Sequence, residues 1–209
     1  MKAWQVEKLG FDNLQLIGNA TIPELADENS IRVKMLAVGL NPVDWKICDW
    51  DFPPLSYPRI IGADGAGIVD NIGAAVDGTK FVEGKTLVFF HGDMFAKSGP
   101  FAEYYVHDHR YMTAVPEEFL KEKNVDEVVN QLASIPCPAM TAYQCLFNKL
   151  KLTFGPQLTG LNKKIVNTIV VTCAAGGVGG FTLQMLKMWR DSMDEERKEK
   201  IKIIATCSE

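Results

Sequence analysis

The chain lacks any block of like charge. Its 22 Lys and Arg and 26 Asp and Glu are interspersed, with a net charge of −4, and a nucleic-acid partner, which demands a clustered basic face, is therefore excluded. It also lacks an apolar run near the roughly 18 residues of a membrane span. The opening octapeptide MKAWQVEK carries charges where a secretory leader needs a continuous apolar core, so the expected compartment is the cytosol. No Cys-x-x-Cys pair occurs: Cys48, Cys137, Cys145, Cys173 and Cys207 are far apart, a spacing that predicts reduced, mostly buried thiols rather than a disulfide framework. Internal repeats and low-complexity segments are absent too. What is present is an ordinary globular composition, 47% hydrophobic and 23% charged over 209 residues, enough for a sizeable core in one large domain or in one domain and part of another.

The first half reads as β-rich. Residues 31–38, IRVKMLAV, alternate apolar with basic and then turn continuously apolar, as a strand does when it leaves a solvated face for a core. Short apolar runs follow at residues 67–69, 86–90 and 101–106, separated by turn clusters at 75–78 and 97–100, which predicts a barrel-like antiparallel fold to about residue 115. From residue 126 to 150 the texture turns helical, with an acidic start at Asp126 and Glu127, apolar spacing through Val128, Leu132 and Ile135, and a break at Pro136 and Pro138. A domain boundary is expected there, dividing the chain into residues 1–125 and 126–209. After a loop at residues 154–160, residues 168–172 form a β-branched run with no polar face, expected of a parallel strand covered on both sides. Helical spacing over 178–189 continues into a solvated charged extension over 191–200, and a second strand closes the series at 201–206. Strand, helix, strand is one βαβ unit.

The loop between that first strand and its helix is Ala174-Ala175-Gly176-Gly177-Val178-Gly179-Gly180. Against G-x-G-x-x-G it aligns Ala174, Gly176 and Gly179, in the one context that gives the fingerprint weight. Gly176 lets the backbone approach a pyrophosphate, Gly179 lets the helix pack closely on the strand, and the helix N-terminus receives the anion. A dinucleotide is the expected ligand. The second strand ends in Ala205-Thr206-Cys207-Ser208, with a carboxylate only at Glu209. A hydroxyl rather than an acid at Ser208 tolerates a 2′-phosphate, so NADP(H) is favoured over NAD(H).

Four further stretches extend the reading. Ala37 to Lys46 contains Asn41-Pro42-Val43-Asp44, Pro58 to Val69 runs PRIIGADGAGIV, Gly99 to Tyr104 runs GPFAEY, and Met140 to Tyr143 runs MTAY. In this order, with the glycine loop behind them, they resemble the medium-chain dehydrogenase/reductase superfamily over essentially the whole chain. The resemblance implies an α/β protein with a β-rich N-terminal domain: a GroES-like β-barrel followed by the first βαβ unit of a Rossmann fold. The zinc-binding members carry a Cys where Asn41 stands and Gly-His-Glu where Gly62-Ala63-Asp64 stands, and they carry a four-cysteine cluster with no counterpart here. The resemblance is therefore to the zinc-independent, quinone-oxidoreductase-like branch, with no metal ligands. His107-Asp108-His109, two imidazoles on one strand face without a third partner, reads as an exposed strand end rather than a metal site.

Such members pass hydride from NADPH to a quinone or an α,β-unsaturated carbonyl. The resemblance sets Asn41 and Thr141 beside the nicotinamide and makes Asp44 and Lys46 candidates for polar contacts near the substrate, with Asp44 expected to anchor its loop through backbone hydrogen bonds. The cofactor-binding set is then Asn41, Thr141, Ala174, Ala175, Gly176, Gly177, Val178, Gly179 and Ser208. Full members continue past a second strand, so the alternative expectation is a truncated, inactive nucleotide-binding or vestigial protein. The apolar edges of its half-built sheet would favour association with a second copy as a homodimer.

Overall fold

A strand with no polar face needs cover on both sides, and the run at residues 87–90 has it. Leu87 and Phe89 contribute to one apolar cluster while Val88 and Phe90 contribute to another, following the two-residue alternation of a strand. The computed structural model describes residues 1–49, 55–121, 124–154 and 168–208. These divide into two units, Met1–Cys137 and Pro138–Glu209.

In the first unit, strands β1 (Ala3–Val6), β2 (Leu14–Ile17) and β4 (Arg59–Ile60) form an antiparallel sheet in the order β2-β1-β4. Strands β3 (Ser30–Gly39), β5 (Asp64–Ile72), β6 (Leu87–His91), β7 (Tyr104–Asp108) and β8 (Met112–Ala114) form a second antiparallel sheet in the order β7-β3-β5-β6-β8. The expected barrel is thus two open sheets, and the segment leading into β7 bridges to the smaller one where Ala102 pairs with Ala3 and Ser98 with Ile60. One face of the larger sheet packs Ile31, Val33, Val69, Val88, Phe90 and Tyr105. Each such side chain contributes about 1.5 to 3 kcal/mol by leaving water.

The other face is covered by helix α3 (Val125–Ala133), not by a barrel wall. Its Val128, Val129, Leu132 and Ala133 pack on Ala66, Leu87 and Val115. The side chain of Asn124 caps it by accepting from the N–H groups of Asp126 and Glu127. The helix expected to open the second domain therefore lies within the first unit, because its apolar stripe completes that unit's core. Two other helices belong here, α1 (Pro42–Asp49) and α2 (Glu117–Leu120).

Helix α4 (Pro136–Tyr143) continues into a π-helical turn, Gln144–Lys149. The second unit's strands β9 (Thr168–Val171) and β10 (Lys202–Ala205) pair in parallel, and the chain between them forms α5 (Gly177–Asp191) and α6 (Glu195–Lys200). Leu146, Leu152, Val171, Leu186 and Trp189 make its core. Two expectations change. The charged run is not an extension of α5 but a separate helix, because Asp194 accepts from the N–H of Arg197 and starts a new one. Val170 of β9 is more than half exposed, so the strand with no polar face is covered on one side only. Residues 155–160 of the expected loop and Glu209 lie outside the described residues. Cys145, Cys173 and Cys207 are exposed and only Cys48 is buried, which corrects the expectation of mostly buried thiols.

Candidate functional site

Register brings the site together. Asp64, at the start of β5, pairs with Gly39 at the end of β3 on one side and with His91 at the end of β6 on the other. Just past Gly39 the chain turns through Asn41 into α1, while Cys137 stands in the first turn of α4. Three strand ends and two helix starts thus converge on one carboxylate. Gly62, two residues before it, has a φ of 111°, in the left-handed region that favours glycine, and the ring of Phe101 fills the space a side chain would take.

Asp64 is fully buried and its oxygens are occupied. Oδ1 stands 2.7 Å from Nδ1 of His91, while Oδ2 accepts from Nδ2 of Asn41 at 2.9 Å and from the backbone N–H of Cys137 at 2.9 Å. The start of a helix favours that negative charge. Asp44 anchors the neighbouring loop as expected, its Oδ2 accepting from the Asn41 N–H at 2.7 Å. One carboxylate therefore fixes the Asn41 backbone and another its side chain.

Burial pushes the Asp44 carboxyl up to about 6; the Asn41 backbone bond opposes the rise and the nearby Asp64 charge adds to it. The folded state then holds this proton more tightly than the unfolded one, so its contribution is present at low pH and is lost as pH rises through about 6. The Asp44→Asn variant, which keeps an acceptor but no charge, should flatten that loss, worth up to about 3 kcal/mol. Unfolding midpoints compared at pH 4.5 and pH 7 would reveal it; an unchanged difference between the two pH values would count against it.

Asp64, His91 and Cys137 each offer a ligand atom within 4.8 Å of the others. Two of these atoms already face each other in a hydrogen bond, however. In tetrahedral zinc the ligand atoms stand about 3.3 Å apart or more, given metal–ligand distances of 2.0 to 2.3 Å. The 2.7 Å between Oδ1 and Nδ1 is a hydrogen-bond distance, and both oxygens of Asp64 already have partners.

Of the residues expected at the site, Asn41 and Asp44 are brought together. Lys46 makes none of these bonds; its Nζ stands 5.7 Å over the ring of Trp45. Thr141 is exposed on α4 of the second unit. Two residues of this candidate site escaped sequence reading. Asp64 was visible only as the acid of a motif, and His91 only as a polar residue ending an apolar run; nothing local pairs them.

In the second unit the glycine loop joins β9 to α5. Its sharp turn falls at Cys173, φ 52°, one residue earlier than the fingerprint's first position, and Ala174 is fixed by its N–H to the Thr206 carbonyl at 2.9 Å. Gly176 is the N-cap of α5 and has no capping side chain, so the N–H groups of Gly177, Val178 and Gly179 open the helix uncapped. A Cβ on Gly176 would stand 3.3 Å from the Cys173 carbonyl oxygen. At Gly179 a Cβ would collide with that oxygen and with Cα of Ala174, so the helix touches the turn that leaves β9 there. Ala175, Gly177 and Val178 are exposed around the loop, and Ser208 is exposed beyond β10. A pyrophosphate fits this arrangement.

Residues 27–117 match the alcohol dehydrogenase GroES-like domain. The chain is 31% identical over 199 residues to 2-methylene-furan-3-one reductase of Solanum lycopersicum, covering 90% of this chain and 44% of that protein. It is 33% identical over 197 residues to the chloroplastic NADPH-dependent alkenal/one oxidoreductase of Arabidopsis thaliana, again 90% and 44%. It spans about half the length of the curated relatives it matches. The crystal structure of Escherichia coli quinone oxidoreductase complexed with NADPH superposes with a TM-score of 0.68 at 20% identity, over 98% of this chain and 58% of that one. Among the described residues no helix is long and apolar enough to cross a membrane. The motifs, the two sheets followed by a βαβ unit, and these relatives agree: the chain carries an alcohol dehydrogenase GroES-like domain and is similar over most of its length to quinone and alkenal/one oxidoreductases.

Proposed function

We propose that this chain is part of an NADPH-dependent oxidoreductase that reduces a quinone or an α,β-unsaturated carbonyl without zinc. The observation that carries the reading is the uncapped start of α5 behind Gly176, closed onto the turn that leaves β9 by the contact at Gly179. NADPH would supply the hydride. Ala174, Ala175, Gly176, Gly177, Val178 and Gly179 would hold its pyrophosphate, Ser208 its 2′-phosphate, and Asn41 and Thr141 would flank the ring. Asn41 suits that task because both its backbone and its side chain are held. Asp44 acts as a loop anchor, and Lys46 as a polar group at the edge of α1. The relatives named for alkenal/one and furanone reduction support the acceptor class, since conjugation makes the acceptor carbon electrophilic with no metal to polarise it. The cytosol is the compartment proposed, on five cysteines spaced too far apart for a disulfide framework.

NADPH oxidation with a panel of quinones and enones tests the reading. Turnover with at least one of them is the expected result; a chain that binds NADPH and oxidises none of it with any acceptor is a nucleotide-binding module instead. In the same protein NADPH should bind more tightly than NADH, and Ser208→Asp should reverse the order by repelling the 2′-phosphate. A native preference for NADH would sink the assignment of Ser208. Elemental analysis of protein prepared without chelator should find no stoichiometric zinc, because Asn41 and Ala63 stand where the zinc-binding members carry ligands; one zinc per chain would overturn the metal-free reading.

A further inference from the structure

Resting on the proposed reduction, we infer that His91 is the catalytic acid of this site, protonating the carbonyl oxygen of the acceptor, with Asp64 as its positioning residue. Asp64 holds Nδ1 at 2.7 Å, and a carboxylate bonded to one ring nitrogen fixes the ring and which nitrogen faces outward. No described residue bonds Nε2, and the His91 side chain keeps 23% of its surface open. One nitrogen is thus held by a fully buried group and the other is presented outward. Asn41, proposed to flank the nicotinamide, bonds the other oxygen of the same carboxylate, so the acid stands one carboxyl group away from the cofactor's place.

The chemistry needs such a donor. Hydride adds to the β-carbon of an enone, the electrons of the C=C bond move toward the carbonyl oxygen, and that oxygen takes the proton of His91 Nε2 as its charge develops. The product is an enol, which tautomerises in water; a quinone gives the hydroquinone by the same proton delivery. His91 then regains its proton from solvent. Where a metal would polarise the carbonyl, the hydrogen bond from Nε2 does so here.

His91→Gln should lower kcat for enone reduction about a hundredfold, with KM for NADPH holding. A kcat within about twofold of the parent, against the usual contribution of a positioned acid, would overturn the assignment. A second readout needs no turnover. Bound 4-nitrophenol mimics the oxyanion, and the full chain should bind it as the yellow phenolate, whereas His91→Gln should lose that absorbance shift. Asp64→Asn should lose it too if it folds, as circular dichroism will show; His91→Gln decides the matter if it does not. Equal phenolate binding by parent and His91→Gln, or none by the parent, would refute the role of His91. Phenolate binding that depends on His91, in a chain that oxidises no NADPH with any acceptor, would instead refute the proposed function.

Discussion

Asp64→Ala should destabilise the first unit by about 2 to 5 kcal/mol, because it takes a buried acceptor away from three partners at once. The carboxylate is fully buried and accepts from Asn41 and from the Cys137 backbone while pairing with His91. Truncation leaves those donors facing a cavity, and each buried donor without a partner costs about 1 to 3 kcal/mol. Urea unfolding followed by the fluorescence of Trp4 and Trp45 would measure the loss. Asn41→Ala removes only one of the donors and should cost far less. If both substitutions cost the same, or if Asp64→Ala costs under about 1 kcal/mol, no more than one ordinary hydrogen bond, the network does not hold the strand ends together.

The second large effect lies in the glycine loop. In Gly179→Ala the new methyl would meet two backbone atoms, the Cys173 carbonyl oxygen and Cα of Ala174, neither of which can rotate away. Helix α5 must lift from that turn, at a cost of about 3 kcal/mol and more than tenfold in NADPH affinity as the N–H groups leave their places. Gly180→Ala is the control. Nothing lies within 4 Å of its Cβ, so it should be neutral or stabilise α5 by up to about 1 kcal/mol through helix propensity. Thermal unfolding and fluorescence titration with NADPH distinguish the two. Equal behaviour would mean that the close helix–turn contact is not what shapes the loop.

How much of this was legible in the sequence follows from how local each signal is. Strand β3, at Ser30–Gly39, was readable to within a residue or so from its own alternation. The parallel pairing of β9 with β10 was readable from two apolar runs flanking a fingerprint. Helix α3 was readable as a helix, but not as part of the first unit, because its destination depends on an apolar face of Ala66 and Leu87 that no window around residue 128 contains. The barrel was over-read for the same reason: short strands and turns do not say whether a sheet closes. His91 was illegible altogether. Its partner lies 27 residues earlier and reaches it only through the register of β5 on β6.

That register has a temporal side. Strand β3 pairs with β5 and with β7, and the second pairing joins Ser30 to Asp108, across a chain interval that costs loop-closure entropy before any contact rewards it. During synthesis from the N-terminus, β3 leaves the ribosome long before β7 exists. Its partner β5 follows first and covers one edge, while the other edge waits, with Ile31 and Val33 beside it, until residues 104–108 emerge. A stall between these points would leave a strand rich in apolar residues with a bare flank, open to pairing with another chain.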